Sequence, residues 1–110
     1  RDQGRWQEAE RAFQRVIRER DEHAGAYRNL GDLLLERGQY RAAVEIWNRG
    51  LRRLPQEVIF YYGLGQAYEG QNRIEAAIAN YQRFIHGGTL NPQQLAGLKS
   101  HVKELEDRQR

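Results

Sequence analysis

The sequence predicts an all-α fold, a stack of antiparallel helix pairs closed at its C-terminal end by a capping helix. Three observations predict it. One register recurs along the chain at an offset of 34 residues. Within each register, apolar residues recur at helical steps of three and four. Glycine, asparagine or proline interrupts those steps at matching places. Self-similarity at such a period marks architectures in which each helical unit buries its apolar face on its neighbours.

The register is carried by particular residues. Laying residues 24–57 over 58–91 sets Tyr27 on Tyr61, Leu30 on Leu64, Gly31 on Gly65, Ala43 on Ala77 and Arg49 on Arg83. Similar residues fill further columns: Val44 over Ile78, Trp47 over Tyr81, Leu51 over Ile85. The same offset brings Gly4, Trp6, Ala9, Phe13, Arg15 and Ile17 under Gly38, Tyr40, Ala43, Trp47, Arg49 and Leu51.

Each unit reads as two helices. Tyr27, Leu30, Gly31 and Leu34 hold the i, i+3, i+4, i+7 spacing of one helical face. Gly38 breaks it, as glycine does where a helix ends in a left-handed residue. Tyr40, Ala43, Val44, Trp47 and Leu51 form the next face, and Pro55 ends the unit. The second unit runs through Tyr61, Leu64, Gly65 and Tyr68, then Ile74, Ala77, Ile78, Tyr81 and Ile85, with breaks at Gln71-Asn72 and Gly87-Gly88. Gly31 with Ala43, and Gly65 with Ala77, let paired helices approach closely while Trp47 or Tyr81 fills the space beside them.

At the C-terminus, Asn91-Pro92 is a helix N-cap followed by proline at the first helical position. Leu95, Leu98, Val102 and Leu105 then make one apolar stripe, opposed by an outer face of Gln94, Lys99, Lys103, Glu104, Asp107 and Arg108. This helix reads as a cap. The helix over roughly residues 5–20 has no predicted partner before it, so the chain is expected to begin inside a repeat. Four segments result: 1–23, the second helix of a truncated unit; 24–57 and 58–91, two full units; and 92–110, the capping helix.

Composition bounds the chemistry. Hydrophobic residues make up 39% and charged residues 30%, enough apolar surface for a core and too much for a solvated tail. The chain has no cysteine, which excludes disulfides, thiolate metal sites and cysteine nucleophiles. It also lacks a run of the ~18 apolar residues that a membrane span needs. The net charge is +3, and all but two of the 18 basic residues, Lys99 and Lys103, are arginine. Because 15 acidic residues are interspersed, this charge reads as solvated helix faces.

No catalytic, metal or cofactor pattern emerges. His23, His86 and His101 have no partner at metal-ligand spacing, and no G-x-x-x-x-G-K loop is present. His23 and His86 lie near helix ends and read as solvated imidazoles. Gly63-Leu64-Gly65 falls inside a helix, where it serves packing.

The run Tyr27-x2-Leu30-Gly31-x2-Leu34, Ala43-x3-Trp47, Pro55 resembles the tetratricopeptide repeat signature. Tyr61-x2-Leu64-Gly65-x2-Tyr68 with Ala77-x3-Tyr81 is similar to it, and Ala9-x3-Phe13 to its second half. Departures are Leu34 for the usual aromatic, Gly50 for the usual alanine and Thr89 for the closing proline. The resemblance implies a right-handed superhelical α-solenoid whose function is to hold protein. It further implies that the first helices of the units line a concave groove for an extended peptide or a partner helix.

The helical wheel places Arg28, Asn29, Asp32, Leu35 and Glu36 off the packed face of the first such helix, and Tyr62, Gln66 and Glu69 off that of the second. Tyr62 stands out, since an exposed aromatic is a frequent binding anchor; packing on Arg28 or Ala96 is its other reading. Arg28 and Asp32, one turn apart, can pair with each other. The basic clamp for acidic C-terminal tails known in this family is absent, because Ile59, Tyr62 and Gly63 occupy the matching places and Asp32 adds the wrong charge. Two further partner readings follow. The edge helix, with Trp6, Ala9, Phe13, Val16 and Ile17 covered on one side only, suggests self-association, chiefly through Trp6, Phe13 and Ile17. Arg15, Arg49 and Arg83, recurring at the repeat interval, form a ladder that nucleic-acid phosphate would follow, although Glu45 is placed to pair with Arg49.

Overall fold

The computed structural model describes residues 2–109, with side chains from residue 4 onward. It is built from helices α1 (Asp2–Glu19), α2 (Ala24–Glu36), α3 (Tyr40–Arg53), α4 (Ile59–Gly70), α5 (Ile74–His86) and α6 (Pro92–Arg108), with no strand among the described residues. Each helix packs on the next in sequence, and α2 also packs on α4. The stack measures 41 × 30 × 23 Å. No helix among the described residues is long and apolar enough to cross a membrane.

Turn chemistry sets the helix ends. Gly38 (φ 74°) and Asn72 (φ 59°) are left-handed, and at both places the chain closes identically. The amide of Gln39 bonds to the Leu34 carbonyl at 2.8 Å, and that of Arg73 to the Tyr68 carbonyl at 2.9 Å. These bonds satisfy carbonyls that a helix end would otherwise strand. His23, expected to be merely solvated, caps α2: its Nδ1 accepts the Ala26 amide at 3.0 Å. At α6, Asn91 accepts the Gln94 amide at 2.8 Å while Gln94 Oε1 accepts the Asn91 amide at 3.1 Å. Gln94 is therefore committed to a capping box rather than to the outer face.

The glycines act as the close-approach sites that the repeat suggests. Trp47 is wedged between two of them. A Cβ on Gly31 would lie 2.1 Å from its Cε2, and one on Gly63 2.7 Å from the same atom. Gly65 admits Tyr81 in the same way, at 2.5 Å. Gly50, the departure from alanine, leaves room for Phe60 (2.9 Å) and Tyr27 (3.1 Å).

Two apolar clusters result. The larger joins Ile17, Tyr27, Leu30, Trp47, Phe60 and Leu64 across α1–α4; the smaller joins Ile74, Ala77, Tyr81, Val102 and Leu105 across α5 and α6. Two expectations need correction here. The aromatic of α4 that enters the core is Phe60 (1% exposed), whereas Tyr61 is only half-buried beneath the Arg83 guanidinium, 5.7 Å from its ring centre. Ile17, expected on an open edge, is 1% exposed within the main cluster. Trp6 and Phe13 are half-buried against the same cluster, Trp6 beneath Arg37 at 5.3 Å, and no large hydrophobic residue is exposed among the described residues.

Candidate functional site

The first helices, α2 and α4, pack directly on each other, but α6 rests on α5 and stands off from α4. A groove of 860 Å³ opens in that gap. Its walls come from five helices: Leu35 of α2, Tyr40 of α3, Ile59 and Tyr62 of α4, Phe84 of α5 and Leu98 of α6. Gln66, Glu69, Gln94 and His101 supply polar atoms. A smaller recess of 230 Å³ is lined by Arg28, Asp32, Tyr62 and Gln66 and shares the last two with the groove.

The structure thus assembles Leu35, Tyr62, Gln66 and Glu69 in one groove and places Arg28 and Asp32 beside it. Asn29 is exposed on α2 and lines neither space. Tyr62 is half-buried, with its ring centre 5.3 Å from that of Phe84 and 5.8 Å from that of Tyr81. It leans on the aromatic rings of α5, and it lines both the groove and the recess that contains Arg28. Burial raises the Asp32 pKa, and the Arg28 charge opposes that rise.

Glu69 is the electrostatic centre. It projects from the last turn of α4, where its Oε1 accepts the Tyr81 hydroxyl at 2.9 Å and a ring nitrogen, Nε2, of His101 at 2.8 Å. An ionised carboxylate only accepts, so Nε2 carries the proton. Its Oε2 lies 3.8 Å from Arg108 Nη2. Burial works against the charged carboxylate, but the His101 and Tyr81 bonds together with the charges of His101 and Arg108 outweigh it and hold its pKa below the usual 4.5. Burial and the same carboxylate push the Tyr81 phenol up, so it remains a donor.

His101 and Arg108 are the side chains around Glu69 that sequence reading missed. His101 stands three residues after Leu98 and four before Leu105, on the apolar stripe of α6. A polar residue on that stripe was the available signal. Its partner lies 32 residues away, beyond the reach of local spacing. Arg108 was assigned to the outer face, yet it reaches back toward α4.

The arginines at the repeat interval lie on α1, α3 and α5, and all three are exposed. Arg15 pairs with Glu19 at 3.1 Å, and Arg83 covers Tyr61. The expected Glu45–Arg49 pair is not among the ion pairs of the described residues.

A family model described as "Tetratricopeptide repeat" matches residues 1–40 and 29–93. The chain belongs to the tetratricopeptide repeat family. Repeats of this family are protein–protein interaction modules, and the six-helix stack is one of them. None of the curated proteins matches the sequence. Among solved structures it is similar to PcrH in complex with the chaperone binding region of PopD, with a TM-score of 0.84 over 99% of this chain and 84% of that one. At 16% identity this likeness establishes the shared tetratricopeptide fold. It is also similar to MamA 41-end from Desulfovibrio magneticus RS-1 (TM-score 0.65, 27% identity, 98% of this chain and 70% of that one). A double mutant of MamA RS-1 gives a TM-score of 0.66 at 25% identity, over 98% and 70% of the two chains.

Proposed function

We propose that this tetratricopeptide module holds a segment of a partner protein in the groove between α4 and α6, with Tyr62 as the principal anchor. Residues 24–57 and 58–91 act as the two full repeats that build the wall, and the helix over 92–110 bounds the far side. The observation that carries this reading is the gap itself. Where α2 meets α4 the first helices close on each other, whereas α6 leaves an apolar channel with a few fixed polar groups. Such a surface suits a peptide that contributes alternating apolar side chains and backbone donors. PcrH, similar in fold, has been solved with a polypeptide segment of PopD, which supports a polypeptide guest here.

Fluorescence anisotropy with a panel of short synthetic peptides rich in leucine and phenylalanine tests it. Saturable binding is expected, and Tyr62→Ala should weaken it by about 2 kcal/mol, the loss of a buried aromatic anchor. Circular dichroism should stay unchanged, because Tyr62 is only half-buried. Unaltered binding in both Tyr62→Ala and Leu98→Ala would place the guest elsewhere.

A further inference from the structure

We propose that the groove selects a partner segment bringing one cationic side chain, arginine or lysine flanked by apolar residues, to the second carboxylate oxygen of Glu69, the one that accepts no hydrogen bond. The inference rests on the groove being the docking site and adds the chemistry of what docks there.

The charges around the groove are distributed unlike those of the whole chain. The protein carries net +3 with 18 arginines and lysines, so its exterior favours acidic partners. None of those cations lines the groove, where Glu69 is the one formally charged side chain. Leu35, Tyr62, Phe84 and Leu98 line the same groove and lower its polarity, which strengthens a charge–charge contact made there.

The carboxylate is also half-used. Both short hydrogen bonds fall on Oε1, from Tyr81 and His101. Among the described residues, Oε2 faces only Arg108, at a distance beyond hydrogen bonding and with an Arg108 side chain 60% exposed. Glu69 itself is 27% exposed, so a guest can reach it. Tyr81 from α5 and His101 from α6 hold its plane fixed, so binding a donor orders little that is not already ordered. The adjoining recess holds Asp32 together with Arg28, a charge of each sign. An acidic guest residue at the same place would meet the like charge of Glu69 and be disfavoured.

Three synthetic peptides decide it: one arginine flanked by leucines, and twins with glutamine or glutamate in its place. The arginine peptide should bind about tenfold tighter than the glutamine twin, the scale of a hydrogen bond to a charged group. The glutamate twin should bind weakest. Glu69→Gln keeps the acceptor for Tyr81 and His101 while removing the charge, and it should erase the arginine preference but leave glutamine-twin affinity in place. Should Glu69→Gln loosen α6, Arg108→Gln gives a second reading: it unblocks Oε2 and should increase the preference. Equal binding of arginine and glutamine peptides would overturn the cation selection and leave the groove standing. Binding of none of the three would overturn both.

Discussion

Two regions of this molecule solve the same packing problem with different chemistry. Around Trp47, four helices meet chiefly through apolar contacts. The indole lies between Gly31 and Gly63, and the cluster beside it contains Tyr27, Leu30, Phe60 and Leu64, each 2% exposed or less. At the C-terminal end, α6 has Val102 and Leu105 as its buried contacts, and its link to α4 is the bond network centred on Glu69. The first region gains rigidity from shape. The second gives up direct helix contact and in return holds a groove open, bridged by hydrogen bonds that water and protons can contest.

The largest expected effect sharpens the packing side of this comparison. Gly31→Ala would set a Cβ 2.1 Å from the indole, and Gly63 on the opposite side leaves the ring no free direction in which to retreat. Overpacking of this kind should cost about 3 kcal/mol, read as a lowered urea midpoint with an unchanged slope. Gly97→Ala on α6, where a new Cβ meets nothing within 4 Å, serves as the control. It should gain about 0.5–1 kcal/mol from helix propensity alone. Equal effects of the two changes would refute the shape argument.

That contrast also explains what could be read before the structure. The 34-residue offset rests on Gly31 with Gly65 and Trp47 with Tyr81, pairs whose packing partners lie within one helical hairpin. Local contacts repeat with the sequence, so their spacing exposes them. The choice among Phe60, Tyr61 and Tyr62 was less visible, because three consecutive aromatics offer every face of the helix a plausible core residue. The buried position of Phe60 follows from the cavity that Gly50 leaves on α3. Ile17 read as an edge residue for a related reason, since the closure of α1 onto the cluster is a tertiary event. Of the groove, Leu35, Tyr62, Gln66 and Glu69 were legible from the wheel. His101 and Arg108 were not, because α6 lacks the repeat's spacing and its register against α4 depends on contacts 32 and more residues apart in sequence.

An intermediate effect tests whether α6 is a separable unit. Leu105 is fully buried, yet on one side it has only the small C-terminal cluster. Leu105→Ala should cost about 2 kcal/mol, the low end for a buried leucine, because an edge helix can settle into the space. In hydrogen exchange the α6 amides should lose protection while those of α2, α3 and α4 keep theirs. Uniform loss across all six helices would show a single cooperative unit and dissolve the distinction between the two regions.

The smallest effect is set by protons. The Glu69 pKa lies below the usual 4.5 in the folded chain, because burial, which penalises the charged form, is outweighed by the His101 and Tyr81 bonds together with the charges of His101 and Arg108. A carboxyl whose folded pKa is depressed contributes stability that is fully present above the unfolded value. That contribution is lost as pH falls through the depressed one. The window therefore lies below pH 4.5, where the charged acceptor of the α6 junction disappears. Both tryptophans, Trp6 and Trp47, belong to the other region, so their fluorescence reports on α1–α4 alone. On acidification the amides of α6 should begin to exchange before the tryptophan signal moves. Glu69→Gln should remove that early phase, since its amide no longer titrates. If both signals shift together in the parent chain, the junction does not depend on this carboxylate, and the groove keeps its width by the packing of Val102 and Leu105.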